Sequence, residues 1–199
     1  MQSRSNSNKP GARRTDPVQP DAGRRPSPAK RAAVSAILAC LALIFSYVEA
    51  VIPFSAGIPG VKLGIANLVI LIALYEMGPR YAFAVNAVRI LVAGLLFNGL
   101  FGALYSLAGG LLSFLVMWGL KKTGLFSMTG VSMAGGVSHN MGQLLVASAI
   151  VANLKMFLYF PILMFSGLAS GIAIGIVSQI IYQRVPKQLF HSHQGGHHA

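Results

Sequence analysis

Apolar residues dominate six consecutive stretches of the chain, each closed by a short cluster of helix-breaking or charged residues. The first runs from Ala32 to Ile52, and PFSAGIPGVK follows at 53–62. Leu63 to Met77 is shorter and ends in Gly78-Pro79-Arg80. Tyr81–Phe97, Phe101–Leu120, Ser127–Ala152 and Phe157–Tyr182 come next, separated by Asn98-Gly99, by Lys121-Lys122-Thr123-Gly124 and by Asn153-Leu154-Lys155. Runs of about 17–25 apolar residues fit the hydrocarbon core of a bilayer when helical. Pro, Gly and Asn between them mark turns. The pattern predicts an all-α, polytopic membrane protein of six transmembrane helices, over residues 32–183. The first run is too long and its VEA end too poor a cleavage site for a signal peptide, so it reads as an uncleaved anchor.

Charge sharpens the picture. Only 10% of the 199 residues are charged, against about 25% in soluble domains, and the mean hydropathy is +0.64. Eight of the sixteen Lys and Arg fall in residues 1–31, among Pro, Ser, Gly and Asn. Such a segment has too little apolar surface to fold and reads as a disordered basic tail. Basic flanks are ordinary beside a first membrane helix, so nucleic acid is not expected as a partner. Arg80, Lys121, Lys122, Arg184 and Lys187 fall on the same side as that tail when six spans are threaded, while Lys62 and Lys155 fall on the other. The positive-inside rule then places both termini, including a short tail at 184–199, in the cytoplasm of a plasma-membrane protein. A single cysteine, Cys40, excludes an internal disulfide.

Arg89 is the residue around which function is read. It lies near mid-depth of the third span, where an arginine costs about 2.5–3.5 kcal/mol on insertion scales and needs a partner, ligand or water. Of four acidic residues only Glu49 and Glu76 are near the membrane, and the sequence does not choose between them as its ion-pair partner. Further polar residues gather from mid-depth to the outer mouth: Lys62, Asn67, Asn98, His139, Asn140 and Gln143. Together with Glu49 and Arg89 they form the expected substrate-binding set, because polar residues inside a membrane bundle mark ligand paths. Asn86 is read as joining helices, and Lys155 as a solvated loop charge. Ala32, Ala36 and Cys40 recur every four residues, as do Ser35 and Ala39, and make a small-residue face on the first helix. That face suits close approach of another helix, inside the protein or outside it.

Enzymatic readings find little support in these residues. No two acidic residues lie within four positions of each other, whereas Mg²⁺-diphosphate chemistry wants carboxylate oxygens grouped together. There is no GxxxxGK[ST] phosphate loop, so ATP hydrolysis would come from other chains. His191, His193, His197 and His198 sit in a Gly-containing tail that reads as solvated rather than metal-binding. No cofactor and no metal site is expected.

GVKLGIAN at 60–67, the central Arg89, LYSLAGGLLS at 104–113 and GVSHNMGQLL at 136–145 resemble the bacterial family named heptaprenyl diphosphate synthase component I. That family is also called the Gx transporter family, and it is grouped with the S components of energy-coupling factor transporters. The resemblance covers about residues 33–182. It implies a six-helix subunit that captures a micronutrient from outside and docks, through small residues of its first helix, on a transmembrane coupling protein driven by two ATPases. Ala32, Ala36 and Cys40, with Ser35 and Ala39, would form that docking face. The expected function is therefore a substrate-binding subunit for a small anionic or zwitterionic solute. A non-catalytic membrane component of heptaprenyl diphosphate synthesis is the alternative.

Overall fold

The shortest apolar run becomes the centre of the molecule. In the computed structural model, residues 27–52 and 64–185 are described, the side chain of Asn98 excepted. They form six α-helices: α1 (Pro28–Val51), α2 (Ile65–Glu76), α3 (Pro79–Ala93), α4 (Gly99–Thr123), α5 (Met128–Val151) and α6 (Phe160–Arg184). A π-helical turn, Gly94–Asn98, joins α3 to α4, and a 3₁₀ segment, Leu154–Tyr159, precedes α6. No strand occurs among the described residues. The basic-tail and C-terminal-tail expectations rest on residues 1–26 and 186–199, and these lie outside the described residues, although α1 starts at Pro28, ahead of the Ala32 boundary.

Helix α2 is apolar on all sides, and a helix of that kind belongs in an interior. Ala66 and every residue from Leu68 to Leu74 are buried. It packs on α1, α3 and α6 and touches α4. The core around it draws on each helix: Leu38, Ala39 and Ala42 from α1, Ala82 and Val85 from α3, Phe114 and Met117 from α4, Val131 from α5 and Ile174 from α6. Outside this core the molecule shows lipid-compatible surface. Ile37, Ile44, Leu91, Leu95, Leu100, Phe165 and Ile180 are exposed, far more apolar surface than a soluble monomer leaves in contact with water.

Four helical segments are long and apolar enough to cross a membrane on their own: α1, Pro79–Phe97, α4 and Leu154–Arg184. This is a membrane protein, and the six-span expectation meets four such segments. The reason for the difference is physical. Helix α2 has only 12 residues, and α5, though 24 residues long, carries serines, glycines, His139, Asn140 and Gln143 that lower its hydropathy. Both are shielded by neighbouring helices rather than by their own composition.

Close approach of α5 to α4 and α6 depends on glycine. A β-carbon at Gly171 would lie 2.6 Å from the backbone Cα of Met133, and one at Gly175 2.7 Å from that of Thr129. One at Gly142 would lie 2.6 Å from the Ala108 carbonyl of α4. Backbone atoms cannot rotate away as a side chain can, so these positions set the interaxial distance.

Charges collect at the end of the bundle where α2 stops. Lys121 Nζ of α4 donates to the Leu74 carbonyl at 2.6 Å and stands 4.7 Å from the centre of the Tyr75 ring. A cation there complements the helix dipole and one of its unpaired carbonyls. Buried Glu76 acts electrostatically on Lys121, while Arg31 of α1 lies over the Tyr81 ring of α3. Replacing Lys121 by Met is expected to cost about 1–2 kcal/mol, since the lysine is only half buried. The readout is a lower melting temperature in detergent. An unchanged one would show that Lys121 does not hold the end of α2.

Candidate solute-binding cavity

At the opposite end of α2 the helices diverge and leave a cavity of about 250 Å³. Its polar lining includes Ser46 and Glu49 of α1, Asn67 of α2, Arg89 of α3, Ser106 of α4, and His139 and Gln143 of α5. Ile90, Ala93 and Phe97 supply an apolar wall. In α1 to α5 these residues lie toward the same end, and the core residues toward the other. The molecule therefore has an apolar storey and a polar one.

The entry of α2 into this storey is built from two unlike residues. Gly64, at the N-cap, adopts φ +73°, a left-handed conformation that side-chain-bearing residues resist. It offers no side chain to satisfy the free amides of the helix. Glu49 supplies the acceptor from α1: the Ile65 N–H donates to its Oε1 at 2.6 Å. A carboxylate at a helix N-terminus is favoured by the dipole as well as by the hydrogen bond.

Arg89 is 8% exposed, and its seat is specific. Its Nη2 donates to Asn86 Oδ1 at 3.0 Å, one turn earlier on α3. Asn86 Nδ2 in turn donates to the Gly110 carbonyl of α4 at 3.1 Å. Asn86 thus joins helices, as expected, and in the same act it holds the guanidinium. Gly110 provides the room, since a β-carbon there would lie 3.3 Å from Arg89 Nη2 and 2.6 Å from Ile90 Cδ1. The preceding residue does the same for the other wall: a β-carbon at Gly109 would lie 2.9 Å from Gln143 Cγ and 3.1 Å from His139 Cε1. Arg89 Nε is buried and has no hydrogen-bond partner among the described residues.

The choice of acid is settled by position. Glu49 shares the cavity with Arg89 and acts on it electrostatically, whereas Glu76 sits at the far end of α2 beside Lys121.

Five of the eight expected binding residues, Glu49, Asn67, Arg89, His139 and Gln143, come together in this cavity. Asn140 does not. It is buried and donates from Nδ2 to the Leu163 carbonyl of α6 at 2.7 Å. A single step along a helix rotates a side chain by about 100°, which turns Asn140 from the cavity toward α6. It lines instead a void of about 20 Å³ that shares Gly64, Asn67 and His139 with the cavity. Lys62 and the side chain of Asn98 lie outside the described residues.

Sequence reading missed Ser46, Ser106 and the wall residue Phe97. Ser46 was within reach of the argument, being one turn before Glu49 on the same helix face. Gly109 and Gly110 stood out as small residues, without the side chains they accommodate.

The small-residue face of α1 divides. Ala32, Ala36 and Cys40 are exposed along the outside of the bundle. Ser35 is half-buried, donating to the Arg31 carbonyl at 2.9 Å and meeting Met77 Sδ at 3.8 Å. Ala39 belongs to the core. Of the five residues expected to dock a partner, Ser35 and Ala39 serve internal packing.

The heptaprenyl diphosphate synthase component I family matches residues 38–181. Neither curated proteins nor solved structures give a match. The family match covers most of the chain, from within α1 to within α6, and the chain belongs to that family.

Proposed function

We propose that this member of the heptaprenyl diphosphate synthase component I family is the solute-binding subunit of an energy-coupled importer. In this reading all six helices cross the cell membrane, with both termini in the cytoplasm and the cavity open to the outside. The observation that carries it is the cavity itself. Five helices bring a buried guanidinium, a carboxylate, two amides, two hydroxyls and an imidazole to one small void, and the guanidinium has a donor with no partner among the described residues. Convergent polar groups in an otherwise apolar bundle are what a solute site requires. A small anionic or zwitterionic micronutrient or precursor fits Arg89. The exposed Ala32, Ala36 and Cys40 offer a partner's transmembrane helix close backbone approach, and ATPases on further chains would supply energy that this sequence has no phosphate loop to harvest.

The test is uptake in vesicles by the full chain, with and without a coupling protein and its ATPases. Uptake is expected only with them. Ala36→Leu is expected to cut uptake at least about tenfold by holding a partner helix off, an effect of about 1.4 kcal/mol on association. Solute binding to the isolated variant should be retained. Full uptake by Ala36→Leu would refute the docking face, and uptake without partners would refute the subunit reading.

The family's description favours a second reading, a non-catalytic membrane component of heptaprenyl diphosphate synthesis. It would have the chain co-purify with a prenyl synthase and change its rate. Among the described residues no group of three or more His, Cys, Asp or Glu could hold a divalent cation, so the chemistry in that reading is assigned to the partner.

A further inference from the structure

Away from the cavity, α4 and α5 enclose a groove of about 330 Å³ on the outside of the bundle. Small residues make the hollow: Ala108 on α4, Gly142 and Ala149 on α5. Leu111, Leu115, Leu145 and Val146 form its sides. Every one of these residues is apolar, so the groove suits a hydrocarbon chain, and its continuation along α4 adds a head to that chain.

Leu111, Leu115, Trp118 and Lys122 follow at steps of four, three and four residues, the spacing of one helix face. All four are exposed. The groove therefore leads along α4 to an indole and then to an ammonium. From Leu111 to Lys122 a helix rises about 16 Å, close to half of a hydrocarbon core of about 30 Å. Helix α4 is long and apolar enough to cross a membrane on its own. With Lys122 at headgroup level, Trp118 lies in the interfacial zone that indoles favour, and the groove reaches the membrane midplane. That is the span of one leaflet.

The sign of the headgroup follows from the end of the bundle that carries Lys122. Arg31 lies over the Tyr81 ring, whose neighbour in sequence is the exposed Arg80. Lys121 holds the end of α2, and Tyr75 meets Tyr182 of α6, two residues before exposed Arg184. Of the two described carboxylates, Glu76 is buried at this end, and Glu49 lies at the start of α2, at the other. Residues outside the described ones hold eight Lys and Arg against Asp16 and Asp21. They add positive charge overall rather than cancelling it. Cations at a membrane surface draw anionic lipid to themselves.

We propose that this face of α4, with the α5 side of the groove, is a site for one anionic phospholipid. Its phosphate sits at Lys122, and its acyl chain runs past Trp118 into the groove. The lipid seals the outer side of the seam whose inner side sets Gly109 against His139 and Gln143, so its binding steadies α4 on α5.

The experiment melts the full chain, purified in detergent and depleted of lipid, with each of three additives. These are phosphatidylglycerol, phosphatidylcholine with the same acyl chains, and chain-free glycerol phosphate. Phosphatidylglycerol is expected to raise the melting temperature at concentrations at least about tenfold below phosphatidylcholine, and the gap should narrow at high salt. Glycerol phosphate should have no effect. Lys122→Gln should shrink the gap roughly fivefold, or about 1 kcal/mol, while still responding to phosphatidylcholine. Leu111→Trp fills the groove and should blunt the response to both lipids. Equal effects of the two lipids on the wild type would overturn the inference, and stabilisation by glycerol phosphate would make the site one for a soluble anion. An unchanged preference in Lys122→Gln, or an undiminished response in Leu111→Trp, would overturn it as well. A wild type that is dimeric and indifferent to lipid, and that Leu111→Trp makes monomeric, would give the groove to a second copy of the chain. If either variant does not purify, the wild-type comparison decides alone.

Discussion

Arg89→Gln is expected to weaken solute binding by roughly thirty- to several-thousand-fold, the effect of truncating one partner of a buried charge contact worth about 2–5 kcal/mol. The structure gives this variant a sharper meaning than the sequence did. Arg89 Nη2 is held by Asn86, and the carboxylate that faces the same cavity is Glu49. Arg89→Lys keeps the charge but loses the fork and the defined bond to Asn86, so it too should bind weakly. Were Arg89 only a structural counter-charge, its removal would leave Glu49 without its balancing cation and lower the melting temperature with or without solute. Glu49→Gln in the Arg89→Gln background would then restore stability. Measuring melting temperature and affinity on the same variants separates the two roles. A folded Arg89→Gln protein with unchanged affinity for the wild-type solute would end the binding role of Arg89.

Gly171→Val is expected to be strongly damaging to the seam between α5 and α6. Its β-carbon would fall 2.6 Å from Met133 Cα and 2.9 Å from the Ser132 carbonyl, so α5 and α6 must separate along their contact. Overpacking of this kind costs about 1–3 kcal/mol and more when backbone has to move. Gly119 is the control within the same bundle. It lies inside α4, and a β-carbon there would meet nothing within 4 Å. Gly119→Ala should therefore be neutral or gain roughly 0.5–1 kcal/mol through helix propensity. The pair predicts a lower melting temperature for Gly171→Val and an equal or higher one for Gly119→Ala. A Gly171→Val protein melting with the parent would show that α5 and α6 are not held at this distance.

How far the sequence reached can be judged residue by residue. Helix order and the interior placement of polar residues were legible because each has a one-dimensional signature: apolar runs, breakers, and a charge where none is expected. Arg89, His139 and Gln143 were found on that ground, and they do line one cavity. What a face looks toward was not legible. The four-residue repeat of Ala32, Ala36 and Cys40 and that of Ser35 and Ala39 look alike as patterns, yet one points out and the other joins the core. Nor was partner choice. Glu49 and Glu76 lie at similar axial distances from Arg89, and only the packing of α1 against α2 and α3 brings one of them to it. Asn140 is turned from that cavity for a third reason, since adjacency in sequence to His139 is divergence on a helix.

The shortness of α2 bears on how the protein comes to be in a membrane at all. Twelve residues rise about 18 Å, well short of a hydrocarbon core of about 30 Å, and α5 carries its amides and imidazole through the middle of its length. Lipid alone would hold neither segment in place, whereas α1, α3 with its π-turn, α4 and α6 could each settle in the bilayer independently. In the proposed six-span arrangement, membrane residence of α2 and α5 would be a property of the assembled bundle rather than of their own sequences. In that arrangement the four self-sufficient helices would act as the solvent for the other two, and the cavity would exist only once that second partition had taken place.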